Sequence, residues 1–377
     1  MLIGFTSEQS QLRDAVRALL AEVSSPERVR ALMPDPAAAD PAAWRQLAEL
    51  GLPGIAVPER LGGGGGSLAD QGVVLEEMGR ALYSGPYFSC AVLAAQTLLA
   101  VPDTGEVAAE LLAGLCGGEL TVTLAVTESG GQWDEAGVSL RAAPGPSGWR
   151  LTGGKTFVPD GATADVLLVA GRTAAGISLF AVPGDAAGVT RTPLAALDQT
   201  RKQASLEFAD APGRLVGPDG AGWEAVERGL RRAAAGLAAE QAGGAQQVLE
   251  MMVEHARTRH QFGRPVGAFQ AVQHACAAVL VEVEAARSAA YHGLRVAAAP
   301  PAGPDGEAEL AAAASLAKAF CSTAYRNAAD AAVQVFGGIA LTWEHPVQLY
   351  FKRARSSEVF LGAPAWHRER LARHLAL

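Results

Sequence analysis

Texture reverses twice along this chain, and that reversal limits what it can fold into. Helical periodicity gives way to a block of short β-rich runs, and helical periodicity then returns at greater length. From about residue 218 onward, four long helical stretches can be drawn, at 222–258, 266–298, 307–336 and 344–374. In the second, Val272, Cys276, Val279, Leu280 and Val283 fall on one stripe, as a helix with one buried face requires. Long helices joined by short connections predict an antiparallel four-helix bundle. The clearest loop is 299–306, which holds three prolines.

Between about 119 and 215 the runs are Thr121–Val126, Trp149–Thr152, Val166–Val169, Ile177–Val182 and Ser205–Phe208, separated by Gly, Pro and Asp clusters. They predict an antiparallel β domain. Upstream, Thr6 followed by Gln9 makes a capping-box start, with Leu12, Val16, Leu19 and Leu20 at helical spacing. Asp40-Pro41 opens a second helix through Trp44, Leu47 and Leu50 that stops at Gly51. The expected division is therefore helical over 1–118, β over 119–217 and helical over 218–377, an α+β fold without internal repeats. At roughly 150 residues per domain, 377 residues suit two or three.

Composition narrows the function. Hydrophobic residues make up 49% and charged residues 19%, which supplies packed cores and argues against disorder. A net charge of -8 argues against a nucleic-acid binder, which needs a basic face. No apolar run approaches the ~20 residues of a membrane helix, so no membrane insertion is expected. The first residues lack a basic region followed by an apolar core, so no signal peptide is expected either. Cys90, Cys116, Cys276 and Cys321 lie far apart in apolar contexts and predict buried thiols in a reducing, cytoplasmic setting, with no zinc pattern. Only four of the 31 basic residues are lysine: Lys155, Lys202, Lys318 and Lys352. There is no Gly-x-Ser-x-Gly elbow and no His-Glu-x-x-His, and His255 and His260, five apart, do not share a helix face.

Three segments admit a functional reading. Gly62–Gly66 is a run of five glycines without a phosphate-loop ending: either a plain flexible loop or a mobile loop near a ligand mouth. Arg257-Thr258-Arg259-His260-Gln261-Phe262-Gly263-Arg264-Pro265, with Phe269-Gln270, reads as a helix that ends and restarts. Clustered arginines with glutamine donors there suit an anionic ligand. They suit equally well a helix C-terminus whose dipole favours cations. Gln334-Val335-Phe336-Gly337-Gly338-Ile339 is either a C-cap or a place where backbone meets a flat ligand closely.

Taken together, these segments resemble the acyl-CoA dehydrogenase family, whose hallmarks include an Arg-x-x-Phe-Gly turn with a downstream Gln and a Gln-x-x-Gly-Gly segment. The resemblance extends to Gly51–Glu59 with Leu61-Gly62-Gly63, to Thr127-Glu128-Ser129-Gly130 and to Trp149–Lys155, in the family's order. It implies a helical N-terminal domain, a β middle domain and a C-terminal four-helix bundle. It also implies FAD as cofactor, an acyl-CoA thioester as substrate and an electron-transfer flavoprotein as electron acceptor. By position, Arg259, Gln261, Phe262 and Gln270 should contact the FAD of a partner chain, and Gln334, Gly337 and Gly338 should meet the same FAD. Val126, Thr127, Phe157 and Val158 should line the flavin of their own subunit. A site shared between chains implies an oligomer.

The sequence departs from the family pattern at two places. The family's proton acceptor is a Glu in a Tyr-Glu-Gly turn, and that turn here is Phe360-Leu361-Gly362. The alternative base position on the first bundle helix falls near Ala233. The weak substitutes are Glu240, seven residues beyond Ala233 and so roughly 10.5 Å along a helix at about 1.5 Å per residue, and Glu358. Pro159 stands where the family often has a threonine whose hydroxyl meets the flavin, and it brings neither hydroxyl nor N–H. The family includes actinobacterial heterotetramers in which one subunit type lacks the base and completes a site whose Glu comes from the other, often for bulky steroid side-chain thioesters. The preferred expectation is such a subunit. The alternatives are a homo-oligomeric dehydrogenase with a relocated base, a flavin-dependent oxygenase or oxidase, and a scaffold without FAD.

Overall fold

The computed structural model describes residues 4–146, 148–299 and 304–376; part of the proline-rich 299–306 loop lies outside them. Thr6 and Gln9 cap each other: the Thr6 side chain accepts from the Gln9 amide at 3.1 Å, and the Thr6 amide donates to Gln9 Oε1 at 3.2 Å. Asp40 caps the helix entered through Pro41 by accepting from the amides of Ala42 and Ala43 at 3.1 and 3.0 Å. In chain order the α-helices are α1 (Ser7–Val23), α2 (Pro26–Leu32), α3 (Pro41–Glu49), α4 (Leu68–Arg80), α5 (Ala95–Leu98), α6 (Glu106–Cys116), α7 (Gly222–Thr258), α8 (Gln270–Ala298), α9 (Pro304–Phe336), α10 (Val347–Val359) and α11 (Pro364–His374). The strands are β1 (Val122–Ala125), β2 (Arg141–Gly145), β3 (Gly148–Pro159), β4 (Val166–Arg172), β5 (Ile177–Pro183), β6 (Val189–Pro193), β7 (Gln203–Val216), β8 (His260–Gln261) and β9 (Arg264–Pro265).

The chain forms two compact units. One comprises 1–30, 68–83 and 234–377; the other comprises 31–67 and 84–233. In the second, β4 pairs with β2 and β5, and β3 and β7 join the remaining edges, so the pairings close on themselves in a barrel-like sheet with β6 on β7. Leu151, Val158, Val169, Phe180, Leu206 and Phe208 fill its core. The expectation of an antiparallel domain needs correction: β1 runs parallel to β4, from Val122 opposite Val166 to Ala125 opposite Val169. About forty residues separate these strands, including the whole β2–β3 hairpin, and that length permits the crossover a parallel pair requires. The sequence reading omitted β2 and β6, which lack a continuous apolar run.

The five glycines are not a free loop. The amides of Gly62 to Gly66 donate to the carbonyls of Glu59, Pro58, Gly54, Val57 and Ile55, all within 3.3 Å. A Cβ at Gly63 would lie 2.1 Å from the Val57 carbonyl oxygen, so the stretch is glycine because backbone packs on backbone.

In the first unit the helices also approach at backbone distance. A Cβ at Gly79 of α4 would sit 1.9 Å from the Glu240 carbonyl oxygen of α7, and one at Gly243 would sit 1.9 Å from that of Glu76. The expected fourth stretch, 344–374, is two helices, broken where Leu361 (φ 60°) and Gly362 (φ 101°) turn left-handed before Pro364. The second begins at Gln270 rather than 266, after a short 3-10 turn. Cys276 is half-buried, unlike Cys90, Cys116 and Cys321, and none of the four is in a disulfide. Among the described residues no helix is long and apolar enough to cross a membrane. Substituting Gly243→Ala should cost about 1–3 kcal/mol through the forced separation of α4 and α7. Gly4→Ala, where the added methyl meets nothing, should melt within a degree or so of the parent by calorimetry.

Candidate functional site

At the end of α7 the chain makes a two-residue hairpin. His260 pairs with Pro265 and Gln261 with Arg264, and Phe262 (φ 54°) and Gly263 (φ 78°) form the turn. That turn projects Phe262 outward with 89% of its surface exposed. Arg259, Gln261 and Gln270 are exposed beside it. Arg264 lies over the Phe269 ring at 4.2 Å. Behind the hairpin is an apolar hollow of about 430 Å³, lined in part by Val253, Ala256, Arg257, Val272 and Cys276.

The second predicted segment lies at the same end of the bundle. His255, near the end of α7, stacks on Phe336 at 4.4 Å, and His345 stacks on the same ring at 4.3 Å. Burial lowers both histidines, so each ring favours its neutral form. Phe336 ends α9, and Gly337 (φ 66°) follows as its C-cap. Gly338 does not have a left-handed φ, and a Cβ there would meet no atom within 4 Å. The C-cap reading therefore accounts for Gly337 and leaves Gly338 open. Gln334 is exposed on the turn before it.

In the β unit the predicted flavin-lining residues sit where β1 gives out beside β3. Thr127 Oγ1 donates to the Thr156 carbonyl at 2.5 Å, and the Thr156 amide donates to the Thr127 carbonyl at 2.9 Å. Lys155, fully buried, donates to the Val126 carbonyl at 2.9 Å and to Glu128 at 2.8 Å. Glu128 also accepts from the amides of Ser139 and Leu140, each at 2.9 Å. These bonds hold Glu128 down at about 2 despite partial burial, while burial pushes Lys155 down to about 8. A bulge between Lys155 and Val158 gives Phe157 a φ of 54° and leaves it 45% exposed. Val158 points into the core, so only its backbone faces outward. The Pro159 carbonyl accepts from Thr123 Oγ1 at 2.5 Å.

The remaining candidates are Leu361, at the break between α10 and α11, Glu358 at the end of α10, and Glu240 and Ala233 on α7. Leu361 is buried, at 3% exposure. Glu240 is buried too, and its Oε1 accepts from Arg353 at 2.9 Å. Glu358 Oε1 accepts from Arg326 at 2.8 Å, and Arg355 lies 3.8 Å from its other oxygen. Ala233 is buried in α7 and presents a methyl group. Sequence reasoning missed the parts beneath this corner, Lys318 and His367. The signal was available: in a chain whose cations are nearly all arginine, a lysine inside an apolar run marks a place where an ammonium is needed.

A flavin dinucleotide needs cationic donors for its pyrophosphate and flat contacts for its rings. Exposed Arg259 and Gln261, projecting Phe262 and unobstructed Gly338 fit that need.

Three family descriptions match in order: acyl-CoA dehydrogenase N-terminal domain over 6–119, middle domain over 123–211 and C-terminal domain over 220–376. The acyl-CoA dehydrogenase IpdE2 of Mycolicibacterium smegmatis is 35% identical over 98% of this chain and 98% of its own. The ChsE4-ChsE5 complex of Mycobacterium tuberculosis superposes with a TM-score of 0.87 at 29% identity, covering 100% of this chain and 99% of that one. The Tcur3481-Tcur3483 steroid acyl-CoA dehydrogenase does so with a TM-score of 0.86 at 30% identity, covering 98% of each.

The Lys155–Glu128 staple yields a measurable expectation. Lys155→Met should cost about 1–3 kcal/mol by leaving the buried Val126 carbonyl without its donor. Glu128 is depressed in the folded state, so its contribution is complete above about pH 4.5 and is lost as pH falls toward about 2. The melting-temperature gap between parent and Glu128→Gln should therefore shrink as pH is lowered through that window.

Proposed function

Because the chain belongs to the acyl-CoA dehydrogenase family, whose members are oxidoreductases acting on CH–CH, we propose that it is the base-lacking subunit of a hetero-oligomeric, FAD-dependent acyl-CoA dehydrogenase. The observation that carries this reading is position 361. The side chain where the family places its proton acceptor is a buried leucine, and the two acidic candidates, Glu240 and Glu358, are each held by arginine. A carboxylate already neutralised by a guanidinium is a poor proton acceptor, because taking a proton breaks the pair. The missing base corresponds to roughly 10²–10⁴-fold in rate, which a homologous subunit bearing the Glu would supply.

In this reading Arg259, Gln261, Phe262 and Gln270 grip the FAD of the partner chain, and Gln334, Gly337 and Gly338 meet the same FAD. Val126, Thr127, Phe157 and the Val158 backbone line the flavin of their own subunit. FAD, when bound, supplies the acceptor for the substrate's β hydride. The segments 1–118, 119–217 and 218–377 are the functional domains, electron-transfer flavoprotein is the acceptor and the compartment is the cytoplasm. The steroid dehydrogenase among the structural neighbours supports a bulky, steroid-derived acyl-CoA thioester as the substrate class.

The test is co-purification with a Glu-bearing homologue, followed by a flavin spectrum, a count of FAD per subunit and turnover with acyl-CoA. The chain alone should turn over at least ~10²-fold more slowly than the assembly. Arg259→Ala should lower the FAD count of the assembly. Equal turnover by the isolated chain would overturn the proposal.

A further inference from the structure

The corner between α10 and α11 is held from beneath by two buried side chains that the reading above does not use. Lys318, on α9, has 0% of its surface exposed. Its Nζ donates to Ser322 Oγ at 2.8 Å, to the Glu358 carbonyl at 3.1 Å and to the Gly362 carbonyl at 3.1 Å. An ammonium has three N–H bonds, and here each has one acceptor. Ser322 Oγ in turn donates to Gln241 Oε1 of α7 at 3.2 Å. On the other side His367 of α11 meets the Leu361 carbonyl with Nε2 at 2.9 Å and Ser315 Oγ with Nδ1 at 3.3 Å. A carbonyl only accepts, so Nε2 carries the hydrogen and Nδ1 accepts from the serine: a neutral imidazole, as expected of a ring that burial pushes down to about 3. The carbonyls of Glu358, Leu361 and Gly362 are thus all tied, around a residue in left-handed conformation.

We propose that Lys318 is a positioning residue whose ammonium form sets this corner, and that loss of its third proton frees one of the two carbonyls and loosens the turn that carries residue 361. The proposal concerns the turn's backbone and stands whether or not the chain is a base-lacking subunit. Burial pushes Lys318 down to about 7, which puts the changeover near neutral pH. The groups that face it are Cys321 and Ser322 on its own helix, Glu358 of α10, and His367 of α11. Glu358 gives Lys318 its backbone carbonyl and its carboxylate to Arg326 and Arg355. Cys321 is pushed up by burial and donates to the Ala286 carbonyl, so it stays neutral.

Hydrogen exchange of the purified chain tests this. The reporters are the amides of Phe360 and Gly362, which donate within the turn to the carbonyls of Ser356 and Val359 at 3.2 and 3.1 Å. Their protection factors, corrected for intrinsic exchange, should fall several-fold between about pH 6 and about pH 8.5, the range spanning the changeover. Lys318→Arg cannot lose its proton in this range, so its protection should be pH-independent. Lys318→Met should be poorly protected at every pH. Global stability should move in the opposite direction. With Lys318 lowered in the folded state, the unfolded chain holds the extra proton between about pH 7 and about pH 10.5, so the parent gains stability relative to Lys318→Met across that window. A merely structural lysine would give no such opposition. Flat protection in the parent would mean that Ser322 turns its hydroxyl to the neutral amine and keeps both carbonyls bound; that result, or parent-like protection in Lys318→Met at about pH 6, would overturn the proposal.

Discussion

The ammonium group caged by backbone carbonyls is the interaction on which both units of this protein depend. In the β unit Lys155 ties the loop after β1 to β3 through Val126 and Glu128. Lys202 gathers the carbonyls of Leu32 and Asp35, at 2.6 and 2.7 Å, where α2 ends. In the helical unit Lys318 gathers those of Glu358 and Gly362. A guanidinium is a planar fork suited to carboxylates, whereas a short tetrahedral head can reach acceptors that converge from different directions. That geometry suits lysine at these three places; the fourth lysine, Lys352, lies over the Trp343 ring at 4.5 Å instead.

The same economy of space governs the helices. Where α4 crosses α7, glycines on both helices remove the side chains that would hold the backbones apart. Tyr325 packs its ring where a Cβ on Gly244 would otherwise come within 2.6 Å of it. Close backbone packing leaves little room for polar groups, and several of those that remain are bonded to one another. Glu240 meets Arg353, and Gln241 Nε2 meets Ser322 Oγ and the Ser357 carbonyl, each at 3.0 Å. Removing one partner from such a set strands the other in a dry interior, which costs more than the bond itself contributed.

Much of this was legible in the sequence, for physical reasons. The stripe of Val272, Cys276, Val279, Leu280 and Val283 buries Val279 and Val283, half-buries Val272 and Cys276 and leaves Leu280 47% exposed, and capping residues such as Thr6 and Asp40 satisfy local backbone donors. What sequence could not give was long-range pairing. The parallel union of β1 with β4 depends on which edges are left free after the intervening hairpin forms. The five glycines read as a loose loop because their partners, the carbonyls of residues 54 to 59, are invisible to any local pattern. The break at 360–363 was masked by continuous helical periodicity on both sides, although Gly362 and Pro364 stood in plain view. At the candidate site, the Arg259–Gln270 hairpin was legible as a helix stop, whereas the exposure of Phe262 follows from a turn that needs two successive positive φ angles.

The leucine at 361 bears on what the corner is for. A left-handed backbone at a residue with a branched side chain costs roughly 1–2 kcal/mol, and the chain holds it there with one fully buried ammonium and one neutral imidazole. Glycine or asparagine would enter that region at less cost. Leucine there instead keeps a bulky apolar group fixed at the point where the backbone is most tightly held. A carboxylate placed at the same point would meet two opposed influences, burial that pushes its pKa up and the neighbouring Lys318 ammonium that pulls it down. On the reading proposed above, a homologous subunit with Glu at this turn would carry out the proton transfer.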